Sequence, residues 1–337
     1  MPFVALACSG ASAQVIQPPF DAVYSLIDLG SAPGVPTNYG GLTIKDDDPN
    51  TLLLGGSANS STAQIFAVPL TRTCGRISGF AGAATPFAAS PNIDGGLAYG
   101  PEGVLFFTRY SMNNIGQIKP GSTGMDKTTP LSPIGATSSV GAMQFVPPGF
   151  PGAGQLKIAS FNASQWHTIT IEPDGEGTYD AVSASPGIAI GGGPEGIVFV
   201  PAGSPQFPVA SVLVCEFSGS RVVAYELDAN GDPIVDTRRV FITGLTGAEG
   251  GHIDAATGDF LFSTFGGGNR VIAVRGFSAP CPGDTNGDNV VDFGDLSTVL
   301  STFGQTGEGL DGDVNNDCVV DFGDLSVVLS NFGVNCD

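Results

Sequence analysis

The 337-residue sequence has few charged residues, very few basic residues and almost no histidine. Only 13% of its residues are charged, and 12 Lys and Arg stand against 32 Asp and Glu, so the formal net charge is −20. A polyanionic surface repels phosphate groups, which argues against nucleic acid or an anionic membrane as a partner. With two histidines in the whole chain, no convincing Ser-His-Asp arrangement can be assembled.

Long apolar runs are also missing. No uninterrupted apolar stretch approaches 18 residues once the N-terminus is set aside, so the sequence predicts no membrane span. Residues 1–13 contain a short apolar stretch and an Ala-Ser-Ala cleavage pattern before Gln14, typical of the end of a secretory signal whose basic start is missing. We therefore expect a secreted, extracellular protein. The alternatives are an ordinary N-terminal strand or a lipoprotein signal at Cys8.

Oxygen donors recur at fixed positions in two nearly identical twelve-residue stretches, 284–295 and 313–324. Each stretch has side-chain oxygens at positions 1, 3, 5, 9 and 12 and a backbone carbonyl at position 7, the spacing that surrounds one hard cation with six or seven oxygens. The sequence therefore predicts two Ca²⁺ ions; the alternative is a surface turn rich in Asn, Asp and Gly. The predicted ligands are Asp284, Asn286, Asp288, Val290, Asp292 and Asp295, then Asp313, Asn315, Asp317, Val319, Asp321 and Asp324.

A short amphipathic segment follows each loop. Apolar residues spaced i, i+3, i+4, i+7 predict one short helix per loop, ended by Gly304 and Gly333, with the two apolar stripes packed on each other. The stripes are Leu296, Val299, Leu300 and Phe303, then Leu325, Val328, Leu329 and Phe332. Eight loop carboxylates repel one another without a cation, and so small a unit buries little core, so we expect its folding to be coupled to metal binding.

The segment 281–337 resembles a type I dockerin, the duplicated EF-hand-like calcium module that docks secreted enzymes onto cohesin domains. The shared features are Asp-x-Asn-x-Asp, a β-branched residue at position 8 (Val291, Val320), and Asp at position 12 followed by Leu. The resemblance implies a cohesin-like or cell-surface partner and a role in polysaccharide degradation. We accordingly divide the chain into a signal (1–13), a large domain (14–278), a linker (279–283) and a dockerin-like module (284–337).

The C-terminal segment departs from the dockerin pattern at the positions that usually contact cohesin. Dockerins usually have small hydroxyl residues at positions 10 and 11 and basic residues along the helix. Here those positions read Phe293-Gly294 and Phe322-Gly323, and the helices have no basic residue. Position 6, usually Gly because the turn there is left-handed, is Cys318 in the second loop.

Residues 14–278 contain a weak internal repeat. Its marker glycines, at 40, 95, 141, 196 and 250, are 55, 46, 55 and 54 residues apart, and each is followed by a turn and an apolar strand. Four short antiparallel strands per unit, without helical periodicity, predict a mainly β fold, a five-bladed β-propeller. Six blades or a two-sheet sandwich are the alternatives. We expect the N-terminal strand 22–29 to join the last blade and close the ring.

The residue before each marker glycine is equivalent in the repeat, and three of the five are carboxylates. The five residues are Tyr39, Asp94, Val140, Glu195 and Glu249. Carboxylates that converge on the axis can hold a divalent cation, bind sugar hydroxyls or act as acid and base; alternatively they cap strand starts. Pro194-Glu195-Gly196 resembles the metal-binding glutamate motif of gluconolactonase-like propellers.

Two functional hypotheses follow from these patterns. In the first, the propeller recognises a glycan or protein ligand and the C-terminal module serves attachment. In the second, it is a glycoside hydrolase or lactonase with Asp94, Glu195 and Glu249 as catalytic residues.

The cysteine spacing does not match a zinc site. A disulfide between Cys281 and Cys336 would clasp the two ends of the C-terminal module in an oxidising compartment, and Cys318 with Cys336 is the alternative. Five cysteines follow the predicted cleavage site, so at least one thiol is left free or pairs between chains.

Overall fold

The computed structural model describes residues 14–277 and 281–336. The predicted signal sequence therefore lies outside the described residues, as do positions 278–280 at the predicted linker. Five antiparallel sheets of four or five strands each occupy residues 14–277. They form a five-bladed β-propeller, which confirms the prediction; the described residues form neither a sixth blade nor a sandwich.

Each blade runs from an innermost strand outwards. The first blade contains β3 (Leu42–Lys45), β4 (Asp48–Gly56), β5 (Gln64–Thr73), β6 (Arg76–Phe80) and β7 (Thr85–Ala89), and the second contains β8 (Ile93–Tyr99), β9 (Leu105–Arg109), β10 (Asn114–Ile118) and β11 (Lys127–Pro130). The third blade contains β12 (Val140–Phe145), β13 (Leu156–Ser160), β14 (Gln165–Pro173), β15 (Tyr179–Ala184) and β16 (Ile188–Ala189). The fourth blade contains β17 (Pro194–Val200), β18 (Ser211–Glu216), β19 (Arg221–Glu226) and β20 (Arg239–Thr243), and the fifth contains β21 (Ala248–Ile253), β22 (Phe260–Thr264) and β23 (Val271–Arg275).

Two N-terminal strands complete the last two blades. Strand β2 (Ser25–Gly30) pairs antiparallel with β23, with Ser25 opposite Arg275, so the predicted closure of the ring is confirmed. Strand β1 (Val15–Ile16) pairs with β20 in the fourth blade, which the sequence did not indicate. Neither blade therefore exposes the edge strand that the chain order alone would leave.

The repeated glycines lie where the innermost strands approach the propeller axis. A Cβ atom on Gly141 would stand 2.5 Å from the carbonyl oxygen of Pro194, and one on Gly250 would stand 2.7 Å from the Cα of Gly41. A Cβ on Gly95 would overlap the backbone of Glu195. Only glycine fits between strands this close, which explains why the repeat keeps one in every blade.

The C-terminal module contains two short helices, α1 (Phe293–Thr302) and α2 (Phe322–Ser330). Asp292 and Asp321 cap them, each in a capping box with the aspartate three residues later. The helices and the left-handed Gly304 and Gly333 after them match the prediction.

The expected packing of the whole apolar stripe is only half right. Val299 and Val328 are buried with Val291 and Val320 of the loops, but Leu300 is 56% exposed and Leu329 is 54% exposed. Helices of ten and nine residues meet along one row of side chains, and the loop valines fill the rest of the contact. Two of the four positions of each stripe are therefore exposed, since Phe303 and Phe332 are each 40% exposed as well.

Two disulfides hold the C-terminal module. Cys281 pairs with Cys336 and joins the two ends of the module, which is the first of the two pairings predicted from the sequence. Cys318, in the second loop, pairs with Cys74 in the turn between β5 and β6 and fastens the module to the propeller. Cys215 is free and buried. Among the described residues, no helix is long and apolar enough to cross a membrane.

Candidate calcium loops and an axial carboxylate cluster

The first C-terminal loop is curled by hydrogen bonds from its own backbone to the predicted ligand side chains. Asp284 accepts from the N–H groups of Gly287, at 2.7 Å, and Asn289, at 3.0 Å. Asn286 Oδ1 accepts from the N–H of Asp288, and Asp288 Oδ1 accepts from the N–H of Val290, both at 2.9 Å. These short turns keep the oxygens of positions 1, 3 and 5 close together.

The second loop closely repeats this pattern. Asp313 accepts from the N–H groups of Asp317, at 3.0 Å, and Cys318, at 2.8 Å, and Asp317 Oδ1 accepts from Val319 N–H at 2.9 Å. Cys318 adopts the left-handed conformation of position 6, with φ of 68°, as Asn289 does in the first loop with φ of 65°. The cysteine thus tolerates the turn, and its side chain forms the disulfide to the propeller.

The carboxylates at position 12 are the most enclosed of the predicted ligands. Asp295 and Asp324 are fully buried. Asp295 accepts from the N–H groups of Thr285, at 2.7 Å, and Asp292, at 2.8 Å. Burial alone would raise the pKa of Asp295, but the backbone hydrogen bonds outweigh it and lower the pKa below its usual value. The carboxylate is therefore kept as an anion.

The donor chemistry of both loops suits a hard divalent cation. The donors are carboxylate, amide and backbone oxygens, which calcium prefers. The buried Oδ1 atom of Asn315, at position 3 of the second loop, has no hydrogen-bond partner among the described residues. A buried polar atom without a partner is costly, and a cation in the loop would remove that cost.

The second candidate site lies on the propeller axis, where the structure brings three predicted carboxylates together. Asp94, Glu195 and Glu249 stand near the starts of β8, β17 and β21, and each offers an oxygen within 4.8 Å of the others. Their exposed fractions are 1%, 4% and 1%. Tyr39 and Val140 occupy the other two positions, and the Tyr39 hydroxyl accepts a hydrogen bond from Ala32 instead.

These buried carboxyl groups favour their neutral forms when only protein surrounds them. Burial raises the pKa of Asp94 to about 7 and raises the pKa of Glu195 and Glu249 well above the usual value. For Glu195, repulsion from Asp94 and then Glu249 adds to the effect of burial. Three buried negative charges in contact require protons or a cation to neutralise them.

A group of aromatic residues that the sequence analysis missed lies beside this cluster. Tyr110, Phe161, Phe217 and Phe265 each follow the second strand of a blade, and their rings touch in that order, at centroid distances of 5.7, 5.9 and 6.1 Å. Ser57 takes the same place in the first blade. We call these four residues the aromatic mouth.

The backbone fixes the height of the aromatic mouth along the axis. The N–H of Phe217 donates to the carbonyl of Gly193 at 3.0 Å, and that of Phe265 to Gly247 at 2.8 Å. Those carbonyls lie two residues before Glu195 and Glu249 in the sequence. The aromatic side chains therefore lie next to the carboxylates along the propeller axis. All four rings are half-buried. An aromatic residue after the second strand, in four of five repeats, is the signal that would have revealed them.

Two cavities lie at the C-terminal ends of the innermost strands, away from the three carboxylates. One, of about 560 Å³, lies between the first and second blades and is lined by Tyr99, Phe87 and Lys119 among others. The other, of about 330 Å³, includes Gln144 and His252. Burial lowers the pKa of His252 to about 4, so its imidazole is neutral at pH 7. Both volumes are in the range of small-ligand sites.

Comparison with known proteins identifies no family and gives only partial structural likenesses. No protein-family model matches the chain, and no curated protein matches it. A PQQ-bound aldose sugar dehydrogenase from Streptomyces coelicolor is similar over 73% of this chain and 83% of its own, with 16% identity and a TM-score of 0.40. A family AA12 carbohydrate-active enzyme from Trichoderma reesei is similar over 79% and 98%, with 10% identity and a TM-score of 0.46. The sheets themselves define this chain as a five-bladed propeller protein.

Proposed function

We propose that this chain is a secreted, calcium-binding protein of two modules. Its propeller recognises a carbohydrate or protein ligand, and its dockerin-like C-terminal module binds two Ca²⁺ ions and attaches the chain to a cohesin-like or cell-surface protein, with a role in polysaccharide degradation. The observation that carries the proposal is the pair of loops, because both present oxygen donors through closely similar backbone hydrogen bonds.

Attachment is supported by the outer faces of the two helices. Phe293 and Phe322 are each 75% exposed, and contiguous exposed apolar surface often marks a protein-interaction site. Phe293 packs edge-on against Phe332, and Phe303 packs in the same way against Phe322, at 5.0 and 5.1 Å. The duplication thus produces two similar apolar surfaces that a partner protein can cover.

Calcium binding in the loops is tested by substitution at position 1. The double variant Asp284→Ala/Asp313→Ala removes a carboxylate from each loop, and we expect it to bind two fewer Ca²⁺ ions than the wild type in isothermal titration of the full chain. Asp311→Ala is the control, because that exposed carboxylate precedes the second loop and should leave binding unchanged. Equal stoichiometry in the double variant and the wild type would refute the proposal for the tail.

Recognition by the propeller is supported by the aromatic mouth. Half-exposed rings offer rigid apolar faces on which a sugar ring or a side chain can stack. We expect Phe161→Ala and Phe217→Ala to weaken binding on a glycan array or in pull-down by tenfold or more, while Phe293→Ala in the C-terminal module leaves propeller binding intact. Undiminished binding by both propeller variants would place recognition elsewhere.

The hydrolase reading is the second candidate, because the raised pKa values of the three axial carboxyl groups suit proton donors. Their burial opposes it, since a sugar in bulk solvent does not reach side chains that are 1–4% exposed. Glu195→Gln separates the two readings. A hydrolase loses turnover of its glycoside or lactone in this variant, whereas a binding propeller keeps its ligand.

A further inference from the structure

Two buried glutamates of neighbouring strands have opposite surroundings. Glu216, on β18, is 1% exposed and is held by Arg221 and by Arg238, whose Nη2 atom is 2.8 Å away. Glu195, on β17, is also buried, at 4% exposed, and its strongest electrostatic neighbours are the acids Asp94 and Glu249. The fold therefore neutralises one glutamate with its own cations and leaves the other without one.

The axial cluster also contains oxygen atoms without hydrogen-bond partners among the described residues. They are both carboxylate oxygens of Asp94, Oε2 of Glu195, Oε1 of Glu249 and the side-chain carbonyl Oδ1 of Asn59. Asn59 follows β4, and its side chain neighbours Asp94. Buried acceptors are nearly always satisfied in native proteins, so several unsatisfied acceptors in contact indicate a ligand that accepts electron pairs.

The spacing and chemistry of these atoms specify the ligand. Two oxygens bound to one calcium ion lie at most about 5 Å apart, because Ca–O distances are about 2.3–2.6 Å; the three carboxylates offer oxygens within 4.8 Å of one another. Magnesium usually keeps several of its waters, which suits an enclosed site poorly, and zinc prefers nitrogen and sulfur. The donor set is entirely oxygen.

We propose that Asp94, Glu195 and Glu249 bind a calcium ion on the axis of the propeller. The ion joins three blades, because these ligands come from the second, fourth and fifth blades. The third blade leaves room for it, since a Cβ on Gly141 would stand 2.6 Å from Glu195 Oε2. This site is independent of the two loops in the C-terminal module.

The test counts ions in the full chain and compares two Glu→Gln variants. Protein stripped with a chelator is returned to buffered Ca²⁺, and native mass spectrometry gives the stoichiometry. Glu195→Gln is expected to bind one ion fewer than the wild type, and Glu249→Gln, a second variant, to do the same. Glu216→Gln is the matched control and is expected to keep the wild-type count, since its carboxylate pairs with arginines.

Thermal unfolding of the same proteins provides a second readout. The melting temperature of Glu195→Gln relative to the wild type should differ between chelator and calcium, whereas that of Glu216→Gln should not. Glu195→Gln should melt at or above the wild-type temperature in chelator, because glutamine cannot add a negative charge to the buried acidic cluster, and below the wild type in calcium, because it removes a ligand of the ion. Glu216→Gln should melt below the wild type in both. If Glu195→Gln and Glu249→Gln bind as many ions as the wild type, the axial site is refuted. The loop variant Asp284→Ala/Asp313→Ala loses other ions, so failure of either site is distinguishable.

Discussion

The half-buried apolar stripe of the C-terminal module makes a quantitative prediction about two adjacent residues of α1. Val299 is fully buried and Leu300 is 56% exposed, although both belong to the apolar pattern of the sequence. Val299→Ala removes two methyl groups from a core of four valines. We expect a cost of about 2–3 kcal/mol, which combines the lost transfer free energy with that of the cavity. Leu300→Ala deletes more atoms but should cost about 0.5 kcal/mol or less.

Hydrogen exchange measured by mass spectrometry on the full chain, in saturating calcium, resolves the two variants. A loss of about 2 kcal/mol lowers the protection of α1 amides by about thirtyfold, whereas Leu300→Ala should stay within about threefold of the wild type. Peptides from the propeller serve as the internal control and should exchange as in the wild type. Equal losses of protection in the two variants would mean that the stripe is buried as a whole, and would overturn this description of the packing.

Three further perturbations test other parts of the molecule. Gly95→Ala should abolish folding or lower the free energy of unfolding by several kcal/mol, as measured by circular dichroism melting. Gly79→Ala on β6, where a Cβ meets nothing within 4 Å, should be close to neutral. Equal effects of the two substitutions would contradict the explanation that the repeated glycines allow close packing at the axis. Hydrogen bonds from Lys127, then Thr178, hold the pKa of Asp174 below its usual value, so its stabilisation is present above about pH 4 and is lost as pH falls. Asp174→Asn should therefore melt below the wild type at pH 7 and approach it near pH 2, and a pH-independent difference would count against this linkage. Cys74→Ser should lower the calcium affinity of the second loop more than that of the first in titration, because only the second loop is tied to the propeller; an equal change in both would deny the disulfide that role.

The propeller was predictable because its geometry leaves a mark in every blade. The innermost strands approach the axis too closely for side chains, so one glycine recurs at each of the five positions, and the residue before it follows the same register. That register brought Asp94, Glu195 and Glu249 into one prediction, and the structure places them together. Strand β2 was predictable for a related reason, since the last blade lacked a fourth strand.

Other features leave no periodic trace. The pairing of Cys74 with Cys318 spans 244 residues, and no spacing rule indicates it, whereas Cys281 and Cys336 bracket one module. Strand β1 is two residues long, too short to show alternation. The exposure of Leu300 depends on where two helices cross, and a helical period identifies an apolar face without saying how much of it a neighbour covers.

The two N-terminal strands have a consequence for the order in which the chain is built. Strands β1 and β2 are synthesised before the rest of the propeller, yet their partners β20 and β23 are among the last parts of the propeller to be made. During synthesis β1 has no partner until β20 has emerged, and β2 has none until Arg275 at the end of β23 has emerged. Closure of the ring is therefore a late, long-range event, and such events are slow. Until then the growing chain carries two unpaired strand edges, which are prone to aggregation and are the kind of surface that chaperones bind.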